Sequence, residues 1–188
     1  MNASVPRPHT SKPHHARGAT AARLQIVERE YEHGDTRVLV EALYAEQVAR
    51  YGYADPVDGD SETPFGQIGC RPPTGVFLVG YVGDEPVACG GYRTRIADAA
   101  GGASVVEIKK MYTAEELRGF GIGRAILIEL ERRAEAAGAV QVVVETGVRN
   151  AAALALYRRM GYRPIQSYVP GRDPAINRAF RKQLSPAT

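Results

Sequence analysis

The segment Arg118-Gly119-Phe120-Gly121-Ile122-Gly123-Arg124 sets three alternating glycines between arginines, where a strand pattern gives way to a helical one. Glycine lets a ligand approach the backbone closely and allows dihedrals closed to other residues. The first N–H groups of a helix have no internal partner and carry the positive end of its dipole. Glycines at a helix start therefore point to an anion site that suits a pyrophosphate. Two commoner phosphate loops do not fit. A Walker loop would continue Gly-Lys-Ser/Thr, whereas Gly123 is followed by Arg124-Ala125. A dinucleotide loop would read G-x-G-x-x-G and be followed by an acid-ended second strand; here the spacing is G-x-G-x-G and that strand is missing. Taken alone, the segment could also be a glycine-rich turn without a ligand.

A second cluster lies downstream. Asn150, Ala153, Leu154 and Tyr157 follow the i, i+3, i+4, i+7 spacing that puts them on one helix face. Asn150 stands where an N-cap would stand. Other chemistries are short of residues. His9, His14 and His15 lie near the N-terminus and only His33 lies in the body, which argues against a histidine metal site or a Ser–His–Asp triad. Cys70 and Cys89 are too few for a disulfide framework or a four-ligand metal site. They read as small buried hydrophobes in a reducing cytoplasm.

The net charge of +3 is uneven. Residues 1–27 hold Arg7, Lys12, Arg17 and Arg23 and no acid, and without these four, 20 basic residues face 21 acidic ones. A near-neutral body argues against a nucleic-acid surface. No apolar run reaches the roughly 18 residues that span a bilayer, and the N-terminus has no apolar signal region. Residues 1–22, rich in Pro, Ser, Ala, His and Arg and without periodicity, read as a disordered tail before one domain over 23–188.

The domain must hold the glycine loop between a strand and a helix, and the pattern supplies both. Strands are expected at 24–27, 76–82, 86–92, 104–112 and 140–144, and closing strands at 162–168 and 179–184. Helices are expected at 36–51, 121–137 and 150–160, the second ended by Gly138 and the third by Gly161. Gly83-Asp84-Glu85 joins two strands as a hairpin, and 52–75 is loop-rich. Val140 to Val144 is apolar enough to be buried on both faces. The order predicts a mixed α/β sheet with helices on its faces.

The R-x-x-G-x-G pattern, preceded by Glu107-Ile108-Lys109-Lys110-Met111-Tyr112-Thr113 and followed by Asn150 to Tyr162, resembles the GNAT N-acetyltransferase superfamily. The resemblance runs over about 23–185 in element order and is specific over 105–162. Thr113 replaces a branched apolar residue common in the family, and no proline occurs in 114–117. The resemblance implies a single-domain α/β fold: a mixed, largely antiparallel sheet flanked by helices, with splayed central strands.

It further implies acetyl-CoA as co-substrate and no metal. The amides of Arg118, Gly119, Phe120, Gly121, Ile122 and Gly123, with Arg124 beside them, would hold the pyrophosphate. The backbone of Met111, Tyr112 and Thr113 would pair with the pantetheine arm and offer an N–H to the thioester oxygen. Asn150 would contact the pantetheine or a water, and Tyr157 would act as general acid at the sulfur. Glu107 matches a strand glutamate used as a base by several members. Glu145 is the second candidate; flanked by Val143 and Val144, its pKa would rise on burial. The alternative for each carboxylate is a salt bridge with Lys109 or Lys110.

The expected reaction is direct transfer of acetyl to a primary amine of a small molecule or peptide, with no nucleic-acid or membrane partner and the question of a homodimer open. Other readings are an acetyl-CoA sensor without catalysis, a transferase for a longer acyl group, and an interaction protein with a nucleic-acid-binding tail. For the acceptor the signals conflict. Tyr51 to Glu62 carries two tyrosines, four acids and no base, which favours a cationic amine; Arg93 and Arg95 favour a carboxylate.

Overall fold

The computed structural model describes residues 23–52, 69–96 and 104–184. The expected tail at 1–22 and most of the acidic stretch after Tyr51 lie outside them. Seven strands form one sheet: β1 (Leu24–Glu28), β2 (Gly75–Val82), β3 (Glu85–Ile96), β4 (Ser104–Thr113), β5 (Ala139–Gly147), β6 (Arg163–Ile165) and β7 (Asn177–Gln183). Their spatial order is β1-β2-β3-β4-β5-β7-β6. Every neighbouring pair is antiparallel except β4 with β5, which is parallel. A parallel pair needs a crossover, and helix α2 (Ile122–Ala136) supplies it.

Helix α1 (Gly34–Tyr51) packs on one face of the sheet, and α2 and α3 (Ala151–Arg159) on the other. Alternation along the strands serves both faces. Leu39 and Val40 of α1 meet Phe77, Val79 and Cys89. Leu78, Ala88, Val106, Ile108, Val142 and Val144 meet Ile126, Leu127, Leu130 and Ala134. Each fully buried side chain such as Ile126 or Leu130 contributes roughly 1.5–3 kcal/mol.

Two irregularities create the site. The first is a β-bulge. Cys89 pairs with Tyr112 and Gly91 with Lys109, so Lys110 and Met111 together oppose Gly90. Lys110 takes a positive φ of 54°, and a bulge of this kind bends its strand. Gly90 leaves room for Met111, whose Sδ a Cβ there would displace, and for Ile126 and Leu130, which would stand 3.2 Å from that Cβ. The second is the splay. Pairing of β4 with β5 ends at Ile108 and Val144, so from Lys109 onward the edge of β4 facing β5 is open.

Some element ends differ from expectation. Helix α1 begins at Gly34 instead of 36, because His33 Nδ1 accepts from the Asp35 amide at 3.2 Å and caps it. The strand expected at 162–168 shrinks to Arg163–Ile165. Beyond it, Ser167 and Tyr168 turn to bond Glu145 and Glu107 instead of a strand neighbour.

Candidate active site

The glycine loop lies where β4 ends and α2 begins. Gly119 and Gly121 have φ of 82° and 86° with open space around a built Cβ, so the backbone conformation itself demands glycine there. Gly123 has no such constraint; its Cβ would sit 3.2 Å from Thr113 Oγ1, inside the groove. The loop forms one wall of a cavity of about 480 Å³ that Met111, Tyr112, Thr113, Arg118, Ile122 and Arg124 also line. Asn150, Ala153, Leu156 and Tyr157 of the α3 segment form the facing wall. The two sequence segments read as coenzyme-binding therefore face one another. Phe120 differs: it packs against the apolar core.

Arg118 fixes the loop. Its Nε donates to the Thr113 carbonyl at 3.0 Å, and its terminal nitrogens meet both carboxylate oxygens of Glu46 on α1 at 2.8 Å. Asn150 caps α3 by accepting from the Ala153 amide at 3.2 Å.

Between the splayed ends of β4 and β5 lies a second cavity of about 140 Å³. Its walls come from Glu107 to Met111, Val144 to Gly147, the last turns of α1, Arg172 and Ile176 before β7, and Asn177 at its start. Leu43, Arg50, Met111, Asn150, Ala153 and Tyr157 line both cavities. Gly147 keeps this region open, since a Cβ on it would overlap the Tyr51 hydroxyl.

Both candidate carboxylates line this second cavity, in different surroundings. Glu107 is 1% exposed. Its Oε2 accepts from Arg93 at 2.9 Å and Arg95 at 3.3 Å; its Oε1 accepts from the Tyr168 hydroxyl at 3.2 Å and lies 3.7 Å from Lys109 Nζ. Burial pushes its pKa up, but Lys109, Arg93 and Arg95 outweigh burial and hold it below the ordinary carboxylate range. Glu145 accepts from Ser167 Oγ at 2.8 Å and lies 3.2 Å from Arg172 Nε. Tyr157 is 2% exposed, and burial raises its pKa, so its phenol stays protonated at neutral pH. Its ring rests against Tyr162 and Phe180, with centroids 5.5 and 6.1 Å away.

Several lining residues gave no signal in the sequence. Arg172 and Ile176 belong to a connection without periodicity, and Asn177 opens β7 two residues before the strand expected at 179–184. Leu43, Glu46, Gln47 and Arg50 share one face of α1 by i, i+3, i+4, i+7 spacing, a pattern visible in the sequence but indistinguishable from an ordinary solvated stripe.

A splayed parallel pair, a strand bulge and a glycine loop at a helix start define an acyl-CoA transferase type of fold. Residues 28–162 match the Acetyltransferase (GNAT) family, and the chain belongs to that family. It is 37% identical over 99 residues to an IAA acetyltransferase of Azospirillum brasilense, a match covering 52% of this chain and 61% of that protein's length. The structure is similar to a putative acyl-CoA N-acyltransferase of Klebsiella pneumoniae subsp. pneumoniae MGH 78578, with a TM-score of 0.68, 25% identity, and 87% and 99% of the two chains covered. It also shares its fold with a PaiA N-acetyltransferase of Thermoplasma acidophilum in complex with coenzyme A, with a TM-score of 0.64, 16% identity, and 86% and 99% of the chains covered. Among the described residues no helix is long and apolar enough to cross a membrane, and no group of three His, Cys, Asp or Glu could hold a metal.

Proposed function

We propose that this chain transfers an acetyl group from acetyl-CoA to a primary amine by direct attack with both substrates bound. The observation that carries this reading is the junction of the two cavities at Met111, Asn150, Ala153 and Tyr157. A coenzyme arm in the larger cavity would present its thioester there, and an amine in the smaller cavity would meet it. The names of the related proteins point the same way, since they include acetyltransferases and a coenzyme A complex.

The loop amides of 118–123 and the α2 N-terminus bind the pyrophosphate. The open edge of β4 at Met111 to Thr113 pairs with the pantetheine arm and donates an N–H to the oxyanion that develops as the amine attacks. A carbon–nitrogen bond forms and the carbon–sulfur bond breaks. Tyr157 hands its proton to the departing sulfur and regains one from water.

The amine must also lose a proton, and Glu145 is the better acceptor. It pairs with one guanidinium, whereas Glu107 is surrounded by three cations and a phenol. A carboxylate held so firmly in its ionised form is a weak base. Glu107 instead anchors Lys109, which lines the acceptor cavity, together with Arg93 and Arg95 of β3. The cysteines have no part. Cys70 and Cys89 are both buried, and burial pushes the Cys70 thiol up to about 12, which favours direct attack over a thioester on the enzyme.

The test is steady-state thiol release from acetyl-CoA over a panel of amines, with wild-type protein and Glu145→Gln. Amine-dependent release that Glu145→Gln lowers by about 10²–10⁴ supports the reading. No amine-dependent release from protein that binds acetyl-CoA overturns it.

A further inference from the structure

We infer that the acceptor is an α-amino acid, lying along the Glu145–Arg172 pair with its amine against Glu145 and its carboxylate against Arg172. The inference rests on the transferase reading above and names the substrate class of the same site.

The pair is oriented for such a ligand. Glu145 and Arg172 both line the smaller cavity, their side chains are only 8% and 11% exposed, and Nε and Oε2 are 3.2 Å apart. In an α-amino acid the amine nitrogen and the carboxylate carbon are about 2.5 Å apart, across one tetrahedral carbon. The two dipoles can lie side by side in opposite directions, so that each charge of the ligand faces its opposite. An amine without the carboxylate satisfies one half of the pair only.

The surrounding charge favours the same ligand. The cavity lining holds Arg50, Lys109, Lys110 and Arg172 against Glu107 and Glu145, while Arg93 and Arg95 pair with Glu107 from outside that lining. Because Glu107 is already ionised, it offsets one of these charges and leaves the described walls positive. Low solvent access lengthens the reach of that excess. It attracts an anionic group and repels a second ammonium, so among the described residues the cavity disfavours a polyamine. It also makes a bound ammonium easier to deprotonate, because like charge nearby favours the neutral amine. The nucleophile is then produced without a strongly basic side chain.

The experiment measures acetyl transfer to a series of α-amino acids, each compared with its carboxamide and its decarboxylated amine. The carboxamide also mimics a peptide N-terminus. The best amino acid is expected to exceed both partners in kcat/KM by at least about tenfold. Arg172→Gln should raise KM for that amino acid by about tenfold more than it raises KM for the carboxamide, and Arg172→Lys should recover part of that difference. A carboxamide, simple amine or diamine that equals or exceeds the amino acid overturns the inference while leaving the transferase reading intact. So does a folded Arg172→Gln protein with wild-type KM. If Arg172→Gln fails to fold, the comparison of acceptors on the wild-type chain decides alone. If no amine is acetylated by folded protein that binds acetyl-CoA, the inference and the transferase reading fall together, whereas acetylation of amines other than amino acids removes the inference alone.

Discussion

Arg118 and Glu46 meet through both pairs of terminal atoms at 2.8 Å, linking the glycine loop to α1 along the lining of the larger cavity. Arg118 is one third exposed and Glu46 one quarter, so the pair contributes little to stability, about 0–1 kcal/mol. Its effect on ligand binding is larger, because the Glu46 carboxylate opposes an incoming phosphate. Glu46→Gln is expected to tighten acetyl-CoA binding by about 2- to 5-fold at low salt, an effect that shrinks as salt is added. Titration calorimetry at two salt concentrations checks this; weaker binding would mean that Glu46 is needed chiefly to orient Arg118.

Gly123 separates ligand binding from folding better than its neighbours do. Gly121 has φ of 86°, so any side chain there strains the loop before a ligand arrives. A Cβ at Gly123 would sit 3.2 Å from the Thr113 hydroxyl, which can shift by the few tenths of an ångström required, and in ordinary contact with Leu156 Cδ2 at 3.9 Å. Gly123→Val should therefore leave the melting temperature within a few degrees. It should weaken acetyl-CoA binding at least tenfold, or about 1.4 kcal/mol. Equal affinity in the two proteins, read by calorimetry, would remove the loop from the coenzyme site.

Tyr157→Phe keeps the ring against Tyr162 and Phe180 and removes only the hydroxyl. A thiol of pKa about 8.5 leaves fairly well unaided. Turnover should accordingly fall by about 10- to 100-fold, at the lower end of acid–base effects, with acetyl-CoA affinity little changed. Wild-type turnover in the Phe variant would reduce Tyr157 to a packing residue.

Glu107 predicts a pH-dependent stability. Its folded pKa lies below the ordinary value of 4.5, so the stability it contributes is fully present above pH 4.5 and is lost as pH falls through the lower folded value. Glu107→Gln leaves Arg93, Arg95 and Lys109 partly buried without their counter-charge. At pH 7 it should cost about 3 kcal/mol, or roughly 6–12 °C of melting temperature. Melting curves from pH 7 down to 3 should show the two proteins converging below pH 4.5. A constant gap over that range would contradict the assignment.

The helices and the central strand were legible because their signals are local. Ile122, Ile126, Leu130 and Ala134 repeat at helical spacing, Val142 to Val144 form an apolar run, and Gly121 and Gly138 punctuate the ends. The glycine turn at the start of α2 followed from the same glycines. What brings cations to Glu107 is not local. Arg93 stands opposite Glu107 only through the β3–β4 register, which the bulge at Lys110 and Met111 shifts. Arg172 and Tyr168 reach the site from a connection whose path is set by the carboxylates it meets. His33 caps α1 through its ring nitrogen, a role that histidine rarely signals in a sequence.

The most direct test is to incubate the full chain with acetyl-CoA and one amine at a time, following thiol release and identifying the product by mass spectrometry. Release should depend on the amine, with one acetylated amine formed for each thiol set free. Thiol release at the same rate with and without every amine, from folded protein that binds acetyl-CoA, would contradict it.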